Sequence, residues 1–359
     1  MTSNKEIRNP LDEKIRCLIE KHRQRIVIAA HHYQSPDIVR YADIIGDSYK
    51  LAVDCSHRDA DFIIMCGVRF MAEGAAVLAA PGQRVVMPDT AAGCPMADMI
   101  TAEQTQDAVN RIRALTGKDP APVVYMNSTA AVKAVCGRAG GAVCTSSNAR
   151  KILTYFFGAD RPVFFAPDCH LGLNTVTEYG MLDGSRIAFI GRDGKIECGG
   201  DPARAGIFLW DGFCPVHKQF TPEQVVRVRK DYPGISVVVH PECDAAVVEA
   251  ADADGSTEFL LKTVSGAASG TAWAVGTELS FVTRLAGNCP DKTVVPLESY
   301  PCTDMSLIIP DKLAATLENI DRVITSGEPL ANEIRPDAAV IADAARALER
   351  MIAITEGRL

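Results

Sequence analysis

Short apolar runs alternate with amphipathic segments along most of this chain, and the alternation predicts a parallel α/β architecture. The first predicted strands cover residues 25–30, 61–67 and 84–89, and helical patterns over about 36–57 and 71–78 separate them. This β-α-β-α-β order is typical of a parallel sheet whose strands are joined by helical crossovers. A helix over residues 9–22 precedes the first strand, because Pro10 suits a first turn and the apolar side chains share one face.

The same order of elements occurs twice more. The second set has predicted strands at 122–128, 161–168 and 207–210, with helices at about 129–138 and within TSSNARKIL. The third set has strands at 235–242, 271–278 and 293–298, again separated by helices. A charged helix over 311–330 and an amphipathic helix over 336–354 complete the predicted elements.

Each set ends on the same pattern, an apolar run followed by a short polar or Gly/Pro-containing loop and one cysteine. The three stretches are VVMPDTAAGC, IFLWDGFC and VVPLESYPC, and they end at Cys94, Cys214 and Cys302. Each is followed by residues able to begin a helix. We therefore predict that these cysteines, far apart in sequence, converge on one metal cluster.

The spacing of polar strand ends and cysteines supports a threefold repeat. The cysteine lies 63 positions after His31 in the first set and 62 positions after His240 in the third. In the second set it lies 87 positions after Asn127, and the excess coincides with an insertion at residues 181–206. The string RIAFI-GRDG-KIEC in this insertion predicts a hairpin with a glycine turn. We favour a passive loop for it over a cap on the site or an oligomer contact.

The repeat predicts three similar three-layer αβα domains with parallel sheets around a pseudo-threefold axis, and an active site at the centre. The predicted domains are 1–118, 119–234 and 235–330. Residues 331–359 are expected to form a C-terminal helix that packs on this core.

Bulk properties narrow the class of protein. The chain has 359 residues and a net charge of -8, and an acidic surface argues against broad nucleic-acid binding. Its polar first residues are unlike a secretion signal, and no apolar run approaches the length of a membrane span. We therefore expect a cytoplasmic protein that does not bind membranes. Twelve cysteines without any CxxC pair argue against zinc ribbons and short-spaced ferredoxins.

The number of converging cysteines has a chemical consequence. A [4Fe–4S] cluster normally takes four cysteine ligands, so three thiolates would leave one iron open. An open iron can bind a substrate oxygen as a Lewis acid, which suits dehydration better than electron transfer. The other nine cysteines are expected to be small buried hydrophobes.

Polar side chains follow the predicted strands where ligands bind in open α/β sheets. They are His31, Tyr33, Tyr125, Asn127, His240 and Glu242. The two histidines are either structural or catalytic, and their position at the mouth of buried strands favours catalysis. A carboxylate at Glu242 can orient His240 or shuttle protons.

Two turns resemble anion sites. TSSN at 145–148 and GST at 255–257 each precede a helix, whose free N–H groups suit phosphate or carboxylate. Taken alone, these turns are better explained by plain N-capping by Ser or Thr. GDS at 46–48 falls inside a predicted helix and is ambiguous, and neither a Walker nor a GxGxxG pattern supports a nucleotide cofactor.

Taken in order, a set of strings resembles the quinolinate synthase (NadA) family of bacterial de novo NAD biosynthesis. The strings are HHYQ, IGDSYKLA, FMAE, AGCPMAD, YMNSTAAVKA, TSSNA, PDCHLG, GFCPVHKQF, HPEC, DGSTEFL and GTE. The resemblance implies a triangular fold of three α/β domains around a [4Fe–4S] cluster held by Cys94, Cys214 and Cys302. The implied reaction condenses iminoaspartate with dihydroxyacetone phosphate to quinolinate, phosphate and two waters, with functional coupling to L-aspartate oxidase.

The resemblance also implies site residues. Substrate contacts would come from His31, Ser48, Tyr125, Met126, Asn127, Ser146, His240, Glu242 and Thr257. Tyr33 and Tyr125 would flank the reacting molecule, while His31, His240 and Glu242 are candidates for proton transfer. No second cysteine lies near Cys302, so control by a local disulfide is not expected. An iron–sulfur hydro-lyase acting on a hydroxy acid and a non-enzymatic iron–sulfur redox sensor are the alternatives.

Overall fold

The structure, a computed structural model, describes residues 9–359, so the first eight positions of the predicted first domain lie outside the described residues. The strands are β1 Ile26–His31, β2 Ile44–Gly46, β3 Phe62–Cys66, β4 Arg84–Val86, β5 Ala121–Tyr125, β6 Ala142–Cys144, β7 Val163–Ala166, β8 Ile187–Ile190, β9 Ile196–Cys198, β10 Ile207–Trp210, β11 Ser236–Val239, β12 Ala253–Asp254, β13 Ala272–Gly276 and β14 Thr293–Pro296. The helices are α1 Pro10–Lys21, α2 Pro36–Val39, α3 Ser48–Ser56, α4 Arg69–Leu78, α5 Ala102–Thr116, α6 Ala130–Arg138, α7 Ala149–Gly158, α8 Cys169–Glu178, α9 Pro222–Asp231, α10 Ala245–Ala250, α11 Thr257–Gly266, α12 Leu279–Asn288, α13 Pro310–Ser326 and α14 Ala338–Thr355.

The strands form three sheets with one shared topology. The first sheet has the order β2-β1-β3-β4 and the third has the order β12-β11-β13-β14, with every pair parallel. The second sheet begins β6-β5-β7-β10, which is the same order. Inner strands such as β1, β3 and β5 are buried along their whole length, which explains their unbroken apolar sequence. The predicted α/β fold with parallel sheets is confirmed, while the pseudo-threefold axis stays a prediction.

The insertion at 181–206 extends the second sheet. Strand β8 pairs in parallel with β10, and β9 pairs antiparallel with β8 as the far edge of the sheet. The predicted hairpin is therefore confirmed, but it is an ordered extension of the sheet and not a loop. None of its residues lines the cavity described below.

The prediction of one helix over 36–57 was wrong. This segment contains α2, the short strand β2 and α3, because Asp43 pairs with the first sheet instead of continuing a helix. The Ile28 N–H donates to the Asp43 carboxylate over 2.9 Å, and the Asp43 N–H donates to the Ile28 carbonyl over 2.8 Å. Tertiary pairing thus overrides the helical pattern. The equivalent short strands β6 and β12 were also absent from the sequence prediction.

The two C-terminal helices pack on different parts of the fold. Helix α13 packs against α1, and α14 packs against α6, with further contacts to β6, α4 and α7. The crossing of α14 over α6 is close at Gly137, where a Cβ atom would lie 1.9 Å from the Asp343 carbonyl oxygen. Helix α14 corresponds to the predicted amphipathic helix, while the domain boundaries stay a prediction. No helix within residues 9–359 is long and apolar enough to cross a membrane.

Candidate active site

The carboxyl ends of strands from all three sheets meet at one cavity of about 200 Å³. Its lining includes every site residue predicted from the sequence except Met126. The strand ends contribute His31, Tyr33, Tyr125, Asn127, His240 and Glu242. The loops and helix starts contribute Ser48, Ser146, Thr257, Cys94, Cys214 and Cys302. The structure therefore brings together side chains that are spread over most of the chain.

Met126 does not line the cavity. It is 1% exposed, and its N–H donates to the Cys144 carbonyl over 2.8 Å. Its carbonyl accepts hydrogen bonds of 2.8 Å from both the Ser128 N–H and the Lys133 ammonium. Both backbone groups are therefore occupied, and Met126 supports the turn that presents Asn127.

The three cavity cysteines lie in turns of the same construction. A single turn of 3-10 helix begins three positions after each cysteine, at Ala97, His217 and Met305. The N–H of that third residue donates to the cysteine sulfur. The N–H of the fourth residue donates to the cysteine carbonyl over distances from 2.9 to 3.3 Å. Each turn therefore directs backbone dipoles at its sulfur, which favours a thiolate.

The thiols fit an iron–sulfur cluster. Burial raises the pKa of Cys94 to about 12 and that of Cys302 to about 11, and it raises the pKa of Cys214 well above its ordinary value. Cys94 lies near enough to the other two sulfurs for their charges to interact. Such buried thiols ionise when a metal supplies the positive charge. Of the twelve cysteines, all in the described region, only these three line the cavity.

A chain of close polar contacts, three of which are hydrogen bonds, joins the two cavity tyrosines behind the wall. The Tyr125 hydroxyl donates to Oε1 of Glu242 over 2.6 Å, and Oε2 lies 2.6 Å from Nδ1 of His217. Nε2 of His217 lies 3.0 Å from the Thr277 hydroxyl, which is 2.8 Å from the Tyr33 hydroxyl. This chain, which we call the tyrosine relay, can move a proton from one side of the cavity to the other.

The two predicted histidines share one local geometry. The Tyr33 N–H donates to Nδ1 of His31 over 3.2 Å, and the Glu242 N–H donates to Nδ1 of His240 over 3.3 Å. A neutral ring that accepts at Nδ1 carries its proton on Nε2. Burial lowers the pKa of His240 to about 3 and that of His31 well below its ordinary value. Both rings are therefore neutral Nε2–H donors at neutral pH.

Glu242 is the charged member of this group. Burial raises its pKa, but His240, His217 and the Tyr125 hydroxyl stabilise the carboxylate, and the net effect holds the pKa below its ordinary value. Burial raises the pKa of Tyr33 and Tyr125 well above their ordinary value, so both phenols stay protonated. Glu242 is thus a carboxylate base placed among neutral donors.

Three helix N-termini also meet at the cavity, one from each sheet's second crossover. Ser48 begins α3 after the Asp47 cap, and Thr257 begins α11 after the Ser256 cap. Ser146 lies in the turn that leads into α7. No lysine or arginine within residues 9–359 lines the cavity. Hydroxyls and backbone N–H groups are therefore its main donors to an anion.

Three supporting residues were missed by sequence reasoning. His217 and Thr277 complete the tyrosine relay, although both fall inside strings that carried the family resemblance. Lys133 is fully buried, and its ammonium donates to the Met126 and Ser128 carbonyls on either side of Asn127. Burial lowers the pKa of Lys133 to about 8. The sequence signal for this role is a lysine at the fourth position of α6, among apolar residues.

Comparisons with known proteins identify the family of this chain. The sequence profile of the NadA family, described as quinolinate synthetase A protein, matches residues 13–353. Quinolinate synthases from Bacillus cereus (strain G9842) and Geobacillus sp. (strain WCH70) are 40% and 39% identical to this chain. The alignments cover 97% and 96% of this chain and 94% and 93% of those proteins, respectively.

A quinolinate synthase from Bacillus mycoides (strain KBAB4) is 39% identical over 95% of this chain and 92% of its own length. A solved D-lactate dehydrogenase from Sporolactobacillus sp. covers 92% of this chain and 98% of its own, but its TM-score of 0.19 at 9% identity carries no argument about the fold. The profile match and the identities confirm the resemblance and the prediction of an enzyme. The chain belongs to the NadA family of quinolinate synthetase A proteins.

Proposed function

We propose that this chain condenses iminoaspartate with dihydroxyacetone phosphate to give quinolinate, phosphate and two waters. The observation that carries the proposal is that three matched cysteine turns and three helix N-termini open on the same cavity. The cysteines suit a metal cluster, and the helix N-termini suit a phosphate and carboxylates. The relatives are quinolinate synthases, and that activity supplies the product.

Cys94, Cys214 and Cys302 would hold a [4Fe–4S] cluster. When bound, the cluster supplies one iron without a protein ligand, which acts as a Lewis acid toward a substrate oxygen. The three N–H groups directed at the sulfurs stabilise the thiolates.

Ser48, Ser146 and Thr257 would bind the phosphate and carboxylate groups of the two substrates. Each stands where a helix begins or is about to begin, so its hydroxyl and the neighbouring N–H groups donate together. Asn127 adds an amide donor from the turn that Lys133 supports. Met126 is assigned to this support and makes no substrate contact in our proposal.

The remaining side chains would orient the substrates and move protons. The Glu242 carboxylate accepts a proton from the condensing carbon or nitrogen, and the Nε2–H groups of His31 and His240 donate to developing oxygen charge. The tyrosine relay returns protons to the cavity at Tyr33 or Tyr125. Both phenols are protonated and can protonate a departing hydroxyl.

The substrate chemistry also implies an enzyme that supplies iminoaspartate. Iminoaspartate is the product of oxidising the amine of L-aspartate, so we propose functional coupling to L-aspartate oxidase. The chemistry takes place among small soluble metabolites, and we propose a cytoplasmic location.

The proposal is tested with anaerobically purified, cluster-replete protein. Addition of dihydroxyacetone phosphate and an iminoaspartate source should give quinolinate and phosphate in equal amounts, and the Cys214→Ser variant should give neither. A hydro-lyase would instead dehydrate a hydroxy acid and need no phosphate site, and a redox sensor would turn over neither substrate. Absence of quinolinate from a cluster-replete sample would contradict the proposal.

A further inference from the structure

The last turn of α14 is tied to the turn that presents Ser146. The Thr355 hydroxyl donates to the Met351 carbonyl over 2.7 Å and accepts from Nδ2 of Asn148 over 3.1 Å. The Thr355 carbonyl accepts from the Lys151 ammonium, also over 3.1 Å. The C-terminal helix therefore contacts the start of α7 through a side chain and through its backbone.

Asn148 connects Thr355 to the turn at residues 145–148. Its Oδ1 accepts from the Thr145 N–H over 2.7 Å, while its Nδ2 reaches Thr355. The amide thus closes the turn 145–148 on one side and anchors it to α14 on the other. Asn148 is 2% exposed, so water does not compete for these bonds.

Helix α14 is held firmly enough to act as a fixed point. Its backbone approaches Gly137 so closely that a Cβ atom there would lie 1.9 Å from the Asp343 carbonyl oxygen. The Arg138 guanidinium lies 3.1 Å from the Asp343 carboxylate, and the Arg350 guanidinium donates to the Gly141 carbonyl. The position of Thr355 is therefore set by packing along the helix and not by the turns that it contacts.

We propose that Thr355 is a positioning residue, which holds the turn 145–148 at the start of α7 so that Ser146 can bind the phosphate group of a substrate. The inference rests on the proposed function for the identity of the phosphate ester. Thr355 does not line the cavity and acts through Asn148.

The test compares Thr355→Val with Thr355→Ser and with Thr316→Val in the holoenzyme. Thr316 is a matched control, because it is 6% exposed on α13 and its hydroxyl donates only to the Lys312 carbonyl over 2.9 Å. Thr355→Val should raise the KM for dihydroxyacetone phosphate about fivefold, the effect of losing one hydrogen bond. Its kcat should fall by less than its KM rises. Thr355→Ser should restore the KM, and Thr316→Val should keep it.

Binding of inorganic phosphate to the same proteins, measured by calorimetry, needs no turnover. Thr355→Val should weaken it by a similar factor, whereas Thr355→Ser should not. Weaker phosphate binding in Thr355→Val supports the inference even if no protein forms quinolinate, which would refute the proposed function alone. Unchanged phosphate binding in Thr355→Val, or an equal loss in Thr316→Val, would overturn the inference.

Discussion

Glu242→Gln separates proton transfer from cluster binding. Each Glu242 oxygen has one close partner, with the Tyr125 hydroxyl 2.6 Å from Oε1 and Nδ1 of His217 2.6 Å from Oε2. Glutamine keeps the shape of the side chain but loses the charge, and its amide can accept at only one end. A hydrogen bond to a charged group contributes roughly 1.5–3 kcal/mol. Proton transfer by a positioned side chain contributes roughly 10²–10⁴-fold in rate.

We therefore expect Glu242→Gln to lower kcat by roughly 10²–10⁴-fold while the iron content and the visible absorbance stay those of the wild type. Quinolinate formation is measured anaerobically beside iron and sulfide analysis of the same sample. Glu249→Gln, the same substitution at an exposed site on α10, should leave all three quantities unchanged. Normal turnover in cluster-replete Glu242→Gln would refute the assignment of Glu242 as the base.

Three further predictions concern the cluster, the C-terminal helix and the buried lysine. Serine at any one of the three cavity cysteines should remove most of the visible cluster absorbance, whereas Cys17→Ser and Cys289→Ser should keep it. Gly137→Ala should lower the urea unfolding midpoint, because its Cβ would lie 1.9 Å from the backbone of α14, whereas Gly158→Ala, with open space around it, should not. Lys133→Met should flatten the rise of stability with pH. Burial lowers the pKa of Lys133 from 10.5 to about 8, so the unfolded chain binds the extra proton between these values and wild-type stability rises there with pH.

The inner strands and their polar ends could be predicted from the sequence because they are buried on both faces. Their unbroken apolar runs leave little ambiguity, and the first polar residue after each run falls at the sheet's carboxyl edge. The cysteines followed from the shared strand–loop–cysteine pattern, and the interval lengths supported them once the insertion at 181–206 was recognised. The family resemblance supplied Ser48, Ser146 and Thr257, which the sequence pattern alone left as possible N-caps.

The short edge strands and the supporting side chains could not be predicted. Strand β2 spans Ile44–Gly46 and exists because β1 offers it backbone partners, so no local pattern marks it. His217 reaches Glu242 from another sheet, and the sequence between them gives no measure of that distance. Charged side chains are usually exposed, and Lys133 is an exception. It can be buried because two backbone carbonyls replace water around its ammonium.

The central claim is that three cysteines hold a cluster with one iron left for substrate. Mössbauer spectroscopy of protein reconstituted with Mössbauer-active iron tests it most directly. We predict that one iron of the [4Fe–4S] cluster differs from the other three and that its signal shifts when quinolinate is added. Four irons that are alike and unaffected by quinolinate would show a fully ligated cluster and would contradict the account.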